Sequence, residues 1–188
     1  MDIPELKYHG FAKLIRTGLS ETECNQLITK ANERGWSDAL INNGGKQILD
    51  KEIRFCKRSM FIDEELSDMI LSKIKEHIPE EFGNRTFTGI NPMLRFLKYG
   101  PGHYFKPHYD LRFADKEGSV SLITVQIYLN EDFSGGETPF YNDSDGKKIY
   151  SHVPKRGDII LFEQTFEHAG AEVEVGTKYS LRTELMYG

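Results

Sequence analysis

Hydrophobic and polar positions follow two different rhythms along this chain, and the change falls near Asn91. Upstream, Ser20-Glu-Thr-Glu23 is a capping-box sequence, and Cys24, Leu27, Ile28 and Ala31 follow at helical spacing until Gly35. A second helix is predicted from Asp63 as cap, with Glu64 and Glu65 at the positive end of its dipole. Leu66, Met69, Ile70, Ile74 and Ile78 form its buried stripe, and Pro79 is its stop. Between the two lie a polar loop, Asn42-Asn-Gly-Gly-Lys46, and an outer strand within Ile53 to Met60.

Downstream of Asn91, short strand-like runs separated by Gly, Pro and Asp predict an antiparallel sandwich or barrel. The runs are Leu94 to Tyr99, Tyr104 to Tyr109, Ser119 to Leu129, Glu137 to Phe140, Lys148 to Val153, Asp158 to Phe162 and Tyr179 to Tyr187. Two of them have faces of different kind. Ile123, Val125, Ile127 and Leu129 suit packing against helices, whereas Leu122, Thr124, Gln126 and Tyr128 suit a partly polar cavity. The last run repeats this, with Tyr179, Leu181 and Leu185 on one side and Lys178, Ser180, Arg182 and Glu184 on the other. Gly135-Gly136-Glu137-Thr138 reads as a hairpin turn. The expected organisation is one α+β domain over 1–188, mainly helical over about 1–90 and β over about 91–188.

A formal net charge of -5 gives no basic field, which argues against a nucleic-acid partner. No run is apolar enough for a signal peptide or a membrane span, so the expectation is a cytoplasmic protein without a membrane partner. Cys24 and Cys56 are too few and too unpatterned for a disulfide framework or a zinc knuckle. The oligomeric state is not legible.

The chemistry concentrates in Tyr99-Gly-Pro-Gly-His-Tyr-Phe-Lys-Pro-His108-Tyr-Asp110. Side chains at i and i+2 of an extended strand leave the same face, so an imidazole and a carboxylate arrive side by side, as neighbouring ligands of one metal would. His168 follows the apolar run Asp158 to Phe162, and Lys178 comes after it. His-x-Asp, a distant His and a basic residue is the order of the two-His-one-carboxylate triad of non-haem Fe(II) oxygenases. Arg54, Tyr104, Arg112 and Phe113 stand where a substrate would pass, and His9, His77, His103 and His152 are given no role.

These residues resemble the prolyl 4-hydroxylase-like branch of the 2-oxoglutarate and Fe(II)-dependent dioxygenases. The likeness is carried by Leu94 to Gly102, Phe105 to Asp110, Leu122 to Asn130, Gly135 to Thr138, Pro154 to Asp158 and His168 through Lys178 to Tyr187. It implies a double-stranded β-helix, or jelly roll, buttressed by N-terminal helices. It also implies hydroxylation of a prolyl residue in an intracellular protein or peptide, with Fe(II), O2 and 2-oxoglutarate, release of succinate and CO2, and ascorbate as supporting reductant.

On that comparison His108, Asp110 and His168 are the metal ligands and catalytic centre. Lys178 binds the distal carboxylate of 2-oxoglutarate, Tyr128 donates to the same group, and Thr124 and Tyr99 line the pocket. Arg182 shares the face of Lys178. The preferred assignment gives Lys178 to the cosubstrate and pairs Arg182 with a carboxylate, with the reverse also open. Other substrates of the same chemistry, a zinc hydrolase on the same ligands and a non-catalytic metal-binding jelly roll are the competing readings.

Overall fold

The computed structural model describes residues 1–188. Helix α1 runs Glu21–Arg34 because both halves of its capping box form: Ser20 Oγ accepts from the Glu23 N–H, and the Glu23 carboxylate accepts from the Ser20 N–H at 2.7 Å. Gly35, at φ 83°, ends it. Helix α2 spans Glu64–Ile74 from an Asp63 cap that accepts from the Leu66 N–H at 3.0 Å, and one 3-10 turn, Lys75–His77, closes it.

Two antiparallel sheets face each other. The larger orders its strands Ala12–Ile15, Ile159–Glu163, Val120–Tyr128, Lys178–Tyr187, Met93–Tyr99, Lys57–Ile62 and Ser37–Asp38. Arg85–Ile90 also pairs with the end of Lys178–Tyr187. The smaller orders Lys148–His152, Thr138–Tyr141, His168–Gly170, Tyr104–His108 and Arg54–Phe55. This is the expected jelly roll with its helices on one side. Leu27, Ala31, Ile70 and Ile74 pack against Ile123, Val125, Ile127, Leu181 and Leu185 on the outer face of the large sheet. Between the sheets, Leu14, Ile160 and Phe162 meet Phe140 and Tyr128.

Three expectations change. The first ninety residues contain more strand than the one expected within Ile53 to Met60, which forms as Lys57–Ile62 inside the large sheet: Ala12–Ile15 is an edge of that sheet against Ile159–Glu163, and Arg85–Ile90 also joins it. Leu122 packs with the helix-side core, because a bulge between Ser121 and Ile123 breaks the alternation that would have turned it inward. Gly135 and Gly136 are not a hairpin turn. Phe133–Gly135 pairs with Val173–Gly176 while Thr138–Tyr141 pairs with Lys148–His152, so the two glycines form a corner between different ladders. Both have φ near +70°, and a Cβ on Gly135 would collide with the Glu172 carbonyl oxygen.

Candidate metal centre and cosubstrate pocket

Strand Tyr104–His108 pairs with His168–Gly170 in a register that sets His108 directly opposite His168. Cross-strand neighbours share a face, and the imidazole centroids lie 4.4 Å apart. The strand stops at His108, yet Asp110 still returns its carboxylate to the same point. One ligand atom from each of His108, Asp110 and His168 falls within 4.8 Å of the others. His108 Nε2 is 3.9 Å from Asp110 Oδ1, and His168 Nε2 is 3.8 Å from Oδ2.

The backbone fixes which ring nitrogens are free. His108 Nδ1 lies 2.8 Å from the Lys106 carbonyl oxygen and His168 Nδ1 lies 3.0 Å from that of Phe166. A carbonyl only accepts, so each Nδ1 carries the proton and each Nε2 keeps its lone pair toward Asp110. Burial pushes the His108 imidazole down to about 3, with His168 adding to the effect, and burial likewise lowers His168. Both rings are therefore neutral ligands at ordinary pH. Burial alone would raise the Asp110 carboxyl, but Arg182 and the two histidines outweigh it and hold the group well below the usual range. Arg182 Nη1 lies 2.9 Å from Asp110 Oδ1, and the Thr124 hydroxyl donates to Oδ2 at 2.6 Å. Two neutral imidazoles and one fixed carboxylate on one side of a point are a donor set that fits a divalent transition metal.

Beside this cluster opens a cavity lined among others by Tyr99, Gln126, Thr138, Lys178, Ser180 and Arg182. Lys178 is only 3% exposed, its side-chain ammonium donates to the Gly136 carbonyl oxygen at 2.6 Å, and burial pushes its amine down to about 8. A buried ammonium without a carboxylate partner is complementary to an anion entering the cavity. The Tyr99 and Tyr128 rings flank it, with centroids 5.3 and 5.5 Å from Nζ.

The remaining residues separate by role. Arg182 is taken by Asp110 and by Glu184, at 2.9 and 3.2 Å. Thr124 does not line the cavity, since its hydroxyl is spent on Asp110 from behind. Tyr128 also stands behind the wall, donating to Thr138 Oγ1 at 2.8 Å, so it is Thr138 that reaches the cavity. Sequence reading missed Thr138 and Gly136, and Gly-Gly-Glu-Thr looked sufficient as a turn. Arg54 lines both this cavity and the groove outside it. Phe113 borders a separate hollow near Asn91, Arg112 is exposed away from both, and the Tyr104 hydroxyl is bound to the Lys51 carbonyl at 3.1 Å.

Residues 94–183 match the profile of a family described as the 2OG-Fe(II) oxygenase superfamily. Prolyl 4-hydroxylase 1 of Arabidopsis thaliana is 29% identical over 189 residues, covering 86% of this chain and 64% of that protein. A putative prolyl 4-hydroxylase of Acanthamoeba polyphaga mimivirus is 26% identical, covering 86% and 68%. The chain spans about two thirds of the length of these curated relatives. Among solved structures, a viral collagen prolyl hydroxylase from Paramecium Bursaria Chlorella virus-1 superposes with a TM-score of 0.65 at 23% identity, over 94% of this chain and 95% of that one. A prolyl hydroxylase from Trichoplax adhaerens gives 0.72 at 20% identity, over 96% and 85%. These structural likenesses speak for the fold.

Proposed function

We propose that this chain is a member of the 2OG-Fe(II) oxygenase superfamily, whose profile residues 94–183 match, and that it is a 2-oxoglutarate- and O2-dependent hydroxylase acting on a prolyl residue of a protein or peptide. The observation that carries the proposal is the convergence of His108 Nε2, His168 Nε2 and the Asp110 carboxylate beside a buried, unpaired Lys178. His108, Asp110 and His168 would hold Fe(II), which when bound supplies the O2 activation that couples decarboxylation of 2-oxoglutarate, to succinate and CO2, with oxygen insertion into the substrate.

The chain's own residues do the positioning. Lys178 receives the distal carboxylate of 2-oxoglutarate. Tyr128 donates its proton to Thr138 Oγ1, which leaves the Thr138 hydroxyl proton free to point at the same carboxylate. Tyr99 closes the cavity wall next to Lys178. A zinc hydrolase on the same triad would leave Lys178 buried without an anion, which disfavours that alternative. Ascorbate is included as the supporting reductant. The buried, unpaired Cys24 and Cys56 support a reducing compartment, the cytoplasm, as the place of action. No helix is long and apolar enough to cross a membrane.

The test is anaerobic reconstitution with Fe(II), followed by addition of O2 and 2-oxoglutarate with and without proline-containing peptides. Succinate that rises with peptide, together with a peptide mass gain of one oxygen, is the expected result, and His108→Ala or Asp110→Ala abolishes both. Folded, iron-loaded protein that forms no succinate overturns the reading.

A further inference from the structure

Outside the metal centre the chain opens into a groove of about 1080 Å³, which shares Arg54, Phe105, His108, Asp110 and Arg182 with the inner cavity. Its charges do not balance. Four guanidinium groups line it, those of Arg54, Arg58, Arg95 and Arg182, against two carboxylates, Asp110 and Glu184. Both carboxylates are already engaged: Arg95 holds Glu184 at 2.7 Å, while Arg182 bridges Asp110 at 2.9 Å and Glu184 at 3.2 Å. Arg54 and Arg58 therefore face the groove without an acidic partner.

What they do contact is weak. Arg54 Nε reaches Cys56 Sγ at 3.4 Å and Nη1 reaches the Leu40 carbonyl at 3.4 Å; Arg58 Nη1 reaches Gln47 Oε1 at 3.3 Å. Burial, and then the charges of Arg54 and Arg95, push the Arg58 guanidinium down from its ordinary value. Like charges gathered on a concave surface of a protein that is net negative, at -5, are complementary to an incoming anion. Their position ties that anion to the chemistry. The Arg54 guanidinium lies 4.4 Å over the Phe105 ring, and Phe105 stacks on His108 with centroids 3.5 Å apart.

We propose that this outer groove is a carboxylate-reading subsite in which Arg58, together with Arg54, binds an acidic side chain or the terminal carboxylate of the substrate, beside the residue presented at His108. The proposal rests on the hydroxylase reading of the inner site and deepens it by naming the class of substrate: a proline-containing peptide with a carboxylate near its target. Arg58 lines the groove but not the inner cavity, which separates its effect from cosubstrate binding.

The test is direct binding, read by fluorescence anisotropy at physiological ionic strength on the full chain. One arm uses end-blocked, proline-centred peptides with a single Glu moved through each position, against Gln at the same position. The other uses neutral peptides with a free C-terminal carboxylate against the C-terminal amide. One Glu position or the free terminus should bind about tenfold to a hundredfold more tightly than its neutral isostere, the range expected of a charge-assisted, partly desolvated contact. That gain should vanish in Arg58→Gln, and Arg58→Glu should transfer the preference to a Lys-bearing peptide.

Equal binding of charged and neutral peptides in both arms overturns the proposal, as does no binding by any peptide. An acidic preference that survives in both Arg58→Gln and Arg54→Gln also overturns it. A succinate assay on the same preparation keeps the two readings apart. Absent succinate sinks the hydroxylase, whereas succinate without a carboxylate preference sinks only the subsite.

Discussion

Arg182 places Nη1 2.9 Å from Asp110 Oδ1, so the carboxylate between the two imidazoles is held by the long strand Lys178–Tyr187 as well as by its own loop. Thr124, on the neighbouring strand Val120–Tyr128, grips the other oxygen at 2.6 Å. Asp110 is thus anchored from two strands of the large sheet while the histidines come from the small one. The His108, Asp110 and His168 cluster therefore draws on both sheets.

Removing that anchor should loosen metal binding without touching Lys178, the cation proposed to bind the cosubstrate. Arg182→Ala is expected to weaken Fe(II) affinity by about tenfold to a hundredfold, the usual scale for a residue that orients a ligand. Arg182→Lys should recover part of the loss. Competition with a metal-binding dye gives the affinities, and the 2-oxoglutarate KM, measured at saturating Fe(II), should stay near the wild-type value. A KM defect larger than that of Lys178→Ala would mean that the two cations have exchanged roles.

Lys178 makes the opposite prediction. Lys178→Ala should raise the 2-oxoglutarate KM by about a hundredfold, as expected for loss of a buried charge-assisted contact, with little change in metal affinity. The wild-type KM should also climb as pH rises past about 8, where the free amine loses its proton. Stability moves the other way. The unfolded chain keeps this proton up to its ordinary value of 10.5 while the folded amine releases it near 8, so the unfolded state binds more protons across that interval and this group makes the cosubstrate-free fold more stable as pH rises through it. A KM that is flat from pH 7 to 9.5 would argue against Lys178 as the anion's partner.

What was legible in the sequence is what is local. The capping box at Ser20 and the cap at Asp63 are decided by residues three positions apart, and both helices start where the sequence places them. His-x-Asp, the later His and the Lys were likewise readable as an ordered pattern. Pairings made across the fold were not. Ala12–Ile15 is four residues whose partner lies at Ile159–Phe162, and Arg182 meets Asp110 only once two distant segments are layered. Tyr128 shows how alternation can give the correct face and still miss the partner: its ring lies by Lys178, while its hydroxyl turns to Thr138. Gly136 was passed over because a hairpin turn explained it, although its carbonyl is what Lys178 holds.

Gly157 tests the backbone argument. It sits at φ 79°, its carbonyl accepts from the Leu19 N–H at 3.1 Å, its N–H donates to the Tyr128 carbonyl at 2.8 Å, and a Cβ there would collide with the Leu19 carbonyl oxygen. Leu19 immediately precedes the cap of α1, so the clash would displace the helix entry. Gly157→Ala should therefore cost more than the roughly 1–2 kcal/mol of a left-handed alanine alone. Gly146→Ala, at φ 65° with open space around it, should cost only that conformational penalty. Denaturant unfolding of the two variants gives the comparison, and equal destabilisation would show that the turn at Gly157 can shift to admit a methyl group.

His152 offers a test of the core by acid. It is 1% exposed, its ring centroid is 4.8 Å from that of Tyr128, and its Nε2 lies 3.5 Å from Asp158 Oδ2. That carboxylate is already held by Arg16 at 2.6 Å and does not rescue a second cation, so burial, followed by Arg16 and Lys178, brings the imidazole down to about 4. A histidine lowered in the fold is protonated first in the unfolded chain. Its effect on stability is absent above the ordinary value of 6.5 and becomes a loss as pH falls from there toward 4. His108 and His168 add to the same slope in metal-free protein, because both are lowered by burial. The metal-free Tm should therefore drop steadily below pH 6.5. His152→Phe, which keeps a flat ring against Tyr128, should make the drop shallower without altering metal affinity at pH 7.5. Excess Zn(II) or Mn(II) should raise the Tm at pH 7.5 and lose that effect as the pH falls, since protons and metal compete for His108 and His168 but not for His152. An unchanged slope in His152→Phe would place the acid sensitivity in the metal centre alone.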